Sequence, residues 1–168
     1  EDFEKYGNLI KCNPSIKTIE DRNALRKALN EDKIDIIATD HAPHKIEEKQ
    51  KHYFQAPSGI PSIQHSLLMM LELVNQGVLT IEKLVEKMSH NPAILFDIKD
   101  RGFIRKNYFA DFILIDSNQK TTISKENIYY KCKWSPLENH TFNNKLISTY
   151  INGKKVFEKD NFFFEKKK

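Results

Sequence analysis

The sequence has little of what defines several protein classes. The 168 residues contain two cysteines, Cys12 and Cys132, which lie far apart and form no CxxC pair. The sequence therefore indicates neither a disulfide framework nor a thiolate zinc site. We expect two buried thiols. No apolar run approaches the roughly 20 residues that cross a bilayer, and the start "EDFEKYGN" lacks the basic and apolar regions of a signal peptide. We therefore expect a cytoplasmic protein without membrane contact.

Arginine is scarce as well. The sequence contains 27 basic and 23 acidic residues. Only four of the basic residues are arginines: Arg22, Arg26, Arg101 and Arg105. Proteins that read nucleic acids favour the bidentate guanidinium group, and the lysines here are mostly dispersed among acids, so we predict no nucleic-acid partner. The lysines that do cluster lie in "NFFFEKKK", which we assign as a basic tail over 161–168.

Local signals divide the first hundred residues into helices and one strand. Thr18 and Asp21 have the form of a capping box, which predicts a helix over 19–31. The isoleucine-rich "IDIIAT", residues 34–39, indicates a strand buried on both sides, as in parallel sheets. Further helices are predicted from Pro61 to Gly77, after Thr80 with Leu84, Val85 and Met88 facing inward, and after Asn91-Pro92.

After Phe96 the apolar period becomes strand-like. "ADFILID", residues 110–116, is a predicted strand, and Asn152-Gly153 is a strong signal for a two-residue hairpin turn. We therefore predict three parts: an α/β unit over 1–100, a small β unit over 101–160 and the tail over 161–168.

The stretch "ATDHAPH" places an acid and two histidines directly after the predicted buried strand. Active sites of parallel α/β barrels gather where strands end, so Asp40 is the predicted catalytic residue; the alternative is a helix cap or loop acid satisfied by nearby amides. His41 and His44 are three residues apart in a proline-containing loop and do not define a metal site by themselves. The other histidines are expected on the surface or in helix packing: His52, His65, His90 and His140.

Several segments in consistent order resemble the dihydroorotases of the metal-dependent amidohydrolase superfamily. They are "ATDHAPH", "APSGIPSIQHSLLMMLELV", "SHNPAILF" and "RGFIRKNYFADFILID", and the upstream "KCNPSIKTIEDRNAL" is similar to the family's Asn-Pro segment before the last barrel strand. The resemblance covers nearly all of residues 10–157. Hydantoinases and allantoinases look similar around the Asp-His pair but usually lack the second histidine, which favours the dihydroorotase subgroup.

The resemblance implies an α/β fold: the C-terminal part of a (β/α)8 TIM-type barrel, followed by part of a small β-sandwich domain. It implies a zinc centre, usually binuclear, to which Asp40 contributes as metal ligand and as general acid/base. Asn13 and His44 match substrate-binding positions, and Ser58 and Gly59 match a pair that contacts substrate through the backbone. The implied reaction is the reversible cyclisation of N-carbamoyl-L-aspartate to dihydroorotate in pyrimidine biosynthesis.

The remaining ligands of such a centre have no counterpart here. The chain has no His-x-His pair, and a whole barrel takes about 250 residues, so we expect the C-terminal portion of the enzyme, inactive by itself. His41 matches a motif position that we assign to loop structure. Two alternatives stay open: a non-catalytic dihydroorotase-like subunit that stabilises aspartate transcarbamoylase, and another cyclic amidohydrolase of the hydantoinase or allantoinase type. Expected partners are the small-molecule substrate, and a second copy of the chain or aspartate transcarbamoylase.

Overall fold

The computed structural model describes residues 2–163, with helices in the first hundred residues and strands after them. The α-helices are α1 (Asp2–Tyr6), α2 (Ile19–Asn30), α3 (Ile46–Lys49), α4 (Ser66–Asn75), α5 (Ile81–Val85) and α6 (Asn91–Leu95). The strands are β1 (Phe112–Asp116), β2 (Thr121–Thr122), β3 (Thr141–Phe142), β4 (Lys145–Ile151), β5 (Lys154–Glu158) and β6 (Asn161–Phe162). Short 3₁₀ turns cover Gly7–Ile10 and Lys125–Asn127. Residues 164–168 of the predicted tail lie outside the described part.

The helix signals that depend on local chemistry are confirmed. Thr18 caps α2: its hydroxyl accepts a hydrogen bond from the Asp21 N–H at 3.3 Å, and the Asp21 carboxylate accepts one from the Thr18 N–H at 3.0 Å. Gly77 closes α4 with φ +69° and donates its N–H to the Val74 carbonyl. These contacts span only a few residues, which is why the sequence alone reveals them.

The predicted start of α4 at Pro61 is wrong, because the helix begins at Ser66. Residues 61–65 form turns whose polar groups bond to the C-terminal part of the chain. The Gln64 N–H donates to the Tyr130 hydroxyl at 3.0 Å, and the Gln64 side chain bonds the Tyr129 N–H at 2.9 Å and the Asn127 carbonyl at 2.6 Å. These tertiary contacts take the place of a first helical turn.

The segment 34–39 forms no regular secondary structure in the described chain, so the prediction of a strand buried on both sides is wrong for this structure. None of its residues joins a ladder within 2–163, and each of them is half-buried or exposed. Its backbone is held by the Ile37 N–H, which donates to the Lys87 carbonyl at 3.0 Å. At its end, His41 forms an isolated parallel bridge with Ile60. A doubly buried strand needs a neighbour on each edge, and the described residues supply only this short contact.

The inward face predicted after Thr80 is partly wrong. Leu84 is buried, but Val85 is exposed and Lys87 is buried in its place. Residues 86–90 form a π-helical turn, whose wider spacing changes which side chains face the core. The Lys87 ammonium is accommodated because Asp32 accepts it at 2.9 Å.

The β-rich part contains a four-stranded antiparallel sheet in the order β1-β4-β5-β6, beside the separate pair β2-β3. The predicted strand over 110–116 is confirmed as β1. The hairpin turn between β4 and β5 is also confirmed, and both of its residues have positive φ, +53° at Asn152 and +74° at Gly153. The structure thus shows two antiparallel sheets, one of four strands and one of two, in the region where the resemblance implied part of a sandwich.

One apolar cluster joins helices to the chain after residue 120. Its buried members are Leu29, Leu68, Leu71, Leu79, Leu84, Ile123, Ile128, Tyr130 and Phe142. The cluster therefore draws on both sides of the predicted boundary near residue 100. Cys12 and Cys132 are free thiols, half-buried rather than buried as expected. None of the helices within 2–163 has the length and apolar character that a bilayer span requires.

His65 lies at the start of α4 and packs in the interior, as predicted. Its side chain is almost fully buried, with Nδ1 3.4 Å from both the Tyr130 and Ser135 hydroxyls, while Nε2 has no partner among the described residues. Burial lowers the pKa of His65 from 6.5 to about 4. The imidazole is therefore neutral in the folded chain at neutral pH.

This burial predicts that the chain loses stability in acid. The folded pKa lies below the unfolded value, so the contribution of neutral His65 is fully present above pH 6.5 and is lost as the pH falls towards 4. The contribution is about 3 kcal/mol. In urea unfolding between pH 6.5 and 4, His65→Gln should flatten the dependence of unfolding free energy on pH, while His52→Gln, at an exposed position, should leave it unchanged. Equal slopes in both variants would contradict the assignment.

Candidate active site

Asp40 directly follows the segment 34–39 and is exposed, with φ +45°. No N–H or cationic group within 2–163 bonds its carboxylate. The alternative interpretation, a cap or loop acid satisfied by nearby amides, therefore has no contact to support it. Asp32, at the other end of the segment, differs: Lys83 and Lys87 bond its carboxylate at 2.6 and 2.9 Å and lower its pKa to about 2. Of these two acids, Asp40 is thus the one whose carboxylate has no partner among the described residues.

His41 holds the loop to the turn before α4. Its Nδ1 accepts the Ser62 N–H at 3.0 Å, and its ring lies 5.2 Å from the Tyr130 ring. The Ser62 hydroxyl also donates to the Thr39 carbonyl at 2.9 Å. Since Nδ1 acts as an acceptor, the proton of neutral His41 lies on Nε2. These contacts agree with the assignment of His41 to loop structure.

His44 and Ser58 face each other across the loop 41–60. The His44 Nε2–H donates to the Ser58 carbonyl at 3.1 Å, which leaves Nδ1 as an acceptor when the ring is neutral. The His44 backbone is fixed as well, because the Trp134 indole N–H donates to its carbonyl at 2.8 Å. The Ser58 N–H and hydroxyl have no partner within the described residues. Two of the predicted substrate-binding residues are therefore brought together.

Gly59 lies where the loop folds back against its own beginning. Its φ is +141°, and a Cβ added there would come within 2.5 Å of the Ala42 carbonyl oxygen and 3.0 Å of the His44 ring. The Gly59 N–H donates to the Lys11 carbonyl at 2.9 Å. A glycine is required both by this backbone angle and by the close approach. Its N–H is already occupied, so the free main-chain donor of the predicted Ser58–Gly59 pair is that of Ser58.

Asn13 lies two residues after Lys11, and the Lys11 carbonyl is bonded to the loop 41–60. Asn13 is exposed and precedes a cis peptide bond to Pro14, and its side-chain amide has no partner within 2–163. Because Gly59 bonds the Lys11 carbonyl, the chain just before Asn13 is tied to the chain just after Ser58. The structure thus links the Asn13 segment, His44, Ser58 and Gly59 by backbone contacts.

Two lysines near these residues were missed by the sequence analysis. Lys49, on α3, is almost fully buried and donates to the carbonyls of Lys11, Pro57 and Gly59 at 3.1, 3.0 and 2.9 Å. Lys11 donates to the Tyr53 and Ala56 carbonyls, both at 2.7 Å. Burial, and then the charge of Lys11, lowers the pKa of Lys49. Nothing in the sequence distinguishes Lys49 from the exposed lysines around it.

A cavity of about 780 Å³ lies elsewhere, between α4, the segment 120–130 and the inner side of β4 and β5. Its lining is mainly apolar and includes none of the predicted site residues. Size alone would make this cavity the default binding site. The predicted site residues instead lie in or next to the loop 41–60 and the Asn13 segment, where the His44 imidazole contacts the Ser58 carbonyl.

The residues of this chain do not by themselves fit a complete metal centre. Within residues 2–163 no group of three or more His, Cys, Asp or Glu side chains is placed to hold a metal ion. Asp40 offers one unpaired carboxylate, whereas a catalytic zinc usually takes three protein ligands. The chain can therefore contribute at most a part of such a centre.

Comparison with known proteins identifies the class. The model of the amidohydrolase family matches residues 7–156, which is most of the chain, and the chain belongs to that family. Among curated relatives, the dihydroorotases of Pyrococcus furiosus and Methanosphaera stadtmanae are 38% and 40% identical to it, each over 95% of this chain and 36% of the relative. The dihydroorotase of Clostridium acetobutylicum is 36% identical over 94% of this chain and 37% of its own length. The chain thus spans little more than a third of these relatives.

Solved structures agree with the family. The L-hydantoinase (dihydropyrimidinase) of Arthrobacter aurescens is 30% identical with a TM-score of 0.92, over 98% of this chain and 38% of that one. A D-hydantoinase at 20% identity has a TM-score of 0.86 over 93% of this chain and 35% of its own, which supports the fold alone. The chain therefore has an α/β amidohydrolase fold and is similar to cyclic amide hydrolases.

The close approach at Gly59 predicts a large cost for a side chain there. Gly59→Ala should lower the unfolding free energy by roughly 3 kcal/mol, because backbone strain adds to the clash with Ala42. Gly77→Ala is the matched control, since φ is also positive there but no atom lies within 4 Å of the added Cβ; it should cost about 1 kcal/mol. Urea unfolding measures both, and equal costs would show that the approach to Ala42 is not rigid.

The incomplete ligand set predicts weak metal binding by the 168-residue chain alone. After dialysis against zinc, atomic spectroscopy should find far less than one zinc per chain, and ring closure should stay undetected with or without added zinc. The reason is that within residues 2–163 no group of three or more His, Cys, Asp or Glu side chains is placed to hold a metal ion, whereas a catalytic zinc usually takes three protein ligands. Stoichiometric zinc together with turnover would show that the histidines form a site of their own.

Proposed function

We propose that this chain supplies the C-terminal part of a zinc-dependent dihydroorotase, with the closing section of a (β/α)8 barrel and part of a small β domain. The reaction is the reversible ring closure of N-carbamoyl-L-aspartate to dihydroorotate in pyrimidine biosynthesis. The observation that carries the proposal is the arrangement around loop 41–60. There Asp40, which has no partner among the described residues, directly follows the segment 34–39, while His44 and Ser58 are held opposite each other beside the Asn13 segment. The identity to curated dihydroorotases over nearly the whole chain supports the same reaction.

Asp40 is proposed as the general acid/base. In the direction of ring opening, its carboxylate accepts a proton from the attacking water and passes it to the amide nitrogen that leaves. Such a transfer needs a carboxylate that is free to be protonated, and Asp40 has no competing partner among the described residues. Asp40 is also the carboxylate that we propose this chain contributes to the metal centre of the complete enzyme.

His44, Ser58 and Asn13 are proposed to hold the substrate. The Ser58 N–H can donate to a substrate carbonyl or carboxylate, and the exposed Asn13 amide can both donate and accept. His44 has its Nε2–H directed to the Ser58 carbonyl, so it orients that main chain and offers Nδ1 to a substrate N–H. Lys11 and Lys49 add positive charge, and within residues 2–163 no carboxylate pairs with either of them, which favours an anionic substrate.

A chimera tests the proposal. This chain would replace the matching segment of the Pyrococcus furiosus dihydroorotase, and the folded product, checked by gel filtration and thermal unfolding, would be assayed for dihydroorotate formation and for hydantoin hydrolysis. Dihydroorotate formation is the expected result. Activity on hydantoin alone would favour the hydantoinase class, to which the L-hydantoinase structure is similar. A folded chimera inactive on both would favour the non-catalytic subunit that stabilises aspartate transcarbamoylase.

The two proposed roles predict different kinetics in the chimera. Asp40→Ala should lower kcat by roughly 100-fold to 10,000-fold, the usual contribution of a general acid/base. His44→Ala should mainly weaken productive substrate binding and raise KM, because it removes a positioning contact. Asp35→Ala, an exposed aspartate in the same segment, is the control and should stay near the parent. A folded Asp40→Ala chimera with parental turnover would refute the proton-transfer role.

A further inference from the structure

Lys49 is buried in a way that stability alone does not explain. Its side chain is 1% exposed, and each of its three ammonium hydrogens has one acceptor, a main-chain carbonyl. Within the described residues no carboxylate pairs with it, and the charge of Lys11 adds to burial in lowering its pKa. Burial of a cation without a counter-ion is costly. We therefore ask which part of the chain the buried ammonium group holds in position.

The three carbonyls identify what is held. Pro57 and Gly59 flank Ser58, so two of the bonds fix the main chain on either side of that residue. The third carbonyl, that of Lys11, also accepts the Gly59 N–H and lies two residues before Asn13. Lys49 therefore joins the two chain segments that carry the proposed substrate contacts.

The short helix α3 connects this junction to His44. Helix α3 begins directly after Lys45, whose N–H is capped by the Glu48 carboxylate at 2.8 Å, and Lys49 is its last residue. His44, just before the cap, reaches across to the Ser58 carbonyl at 3.1 Å. The loop 41–60 is thus cross-linked in two places: His44 bonds the Ser58 carbonyl, and Lys49 bonds the carbonyls of Pro57 and Gly59 on either side of Ser58.

We propose that Lys49 is a positioning residue, whose ammonium group fixes the Ser58 main chain and the Asn13 segment relative to His44. Its relevance to substrate rests on the proposed function, but the positioning itself does not. Loss of the ammonium group should free the loop at Gly59 while leaving the helical core intact.

Hydrogen exchange on the 168-residue chain tests the positioning without any activity. In Lys49→Met, the Gly59 amide should exchange about tenfold faster or more, because a charge-assisted bond that holds its acceptor is lost. The Leu71 amide in α4 should be unaffected, and so should both amides in Lys51→Met, an exposed lysine two residues on. Equal acceleration at Gly59 and Leu71 would indicate a purely global role, and unchanged exchange at Gly59 would indicate none; either result overturns the proposal.

A second variant guards against failure to fold. Lys49→Gln keeps a donor that can reach one of the carbonyls, and its Gly59 amide should exchange at a rate between those of the parent and Lys49→Met. If neither variant folds, Lys49 is a general stability residue and the proposal is wrong.

In the chimera, Lys49→Met should raise KM about tenfold with a smaller change in kcat, while Lys51→Met should change neither. A chimera without activity would count against the proposed reaction and leave the exchange result to decide the role of Lys49.

Discussion

The hydroxyl of Tyr130 accepts the Gln64 N–H at 3.0 Å and lies 3.4 Å from His65, while the Tyr130 ring packs 5.2 Å from His41. One buried side chain from the C-terminal part of the chain thus contacts the motif histidine and the turn that leads into α4. Burial raises the pKa of Tyr130 to about 12, so the hydroxyl keeps its proton across the physiological range. The indole N–H of Trp134 adds a bond to the His44 carbonyl. The candidate site therefore depends on packing against residues 128–134, and this stretch is structurally part of the site's support.

The sequence predicts the elements whose cause is local. The capping box at Thr18, the C-terminal glycine of α4 and the Asn152-Gly153 turn each depend on residues next to one another, and each is found in the structure. Predictions of elements that depend on contacts with residues far away in the sequence are wrong in two cases. The segment 34–39 has the composition of a buried strand, but strand pairing needs neighbours that the composition does not specify. The start of α4 is displaced because Gln64 bonds to residues more than sixty positions away.

The candidate site shows the same division. Asp40, His41 and His44 stand out because acids and imidazoles after an apolar run are unusual, and the structure does place His44 against Ser58. Lys49 does not stand out, since a lysine in a charged segment is normally solvated. Its burial follows from three carbonyls that arrive from separate parts of the chain. Lys87 is a second case, buried because the π-helical turn directs it towards Asp32. Buried cations of this kind become visible only once the tertiary structure is known.

Lys49 and Lys87 are buried cations with different kinds of hydrogen-bond acceptor. Lys87 is paired with carboxylates, so its charge is neutralised locally and its contacts stabilise the junction between α2 and the π-helical turn. Among the described residues the acceptors of Lys49 are main-chain carbonyls, and no carboxylate pairs with its charge beside the loop that carries His44 and Ser58. An anion bound near that loop would gain from this charge, and the charge would in turn be better tolerated with the anion present. The arrangement that is costly in the free chain is therefore one that a bound anion would relieve.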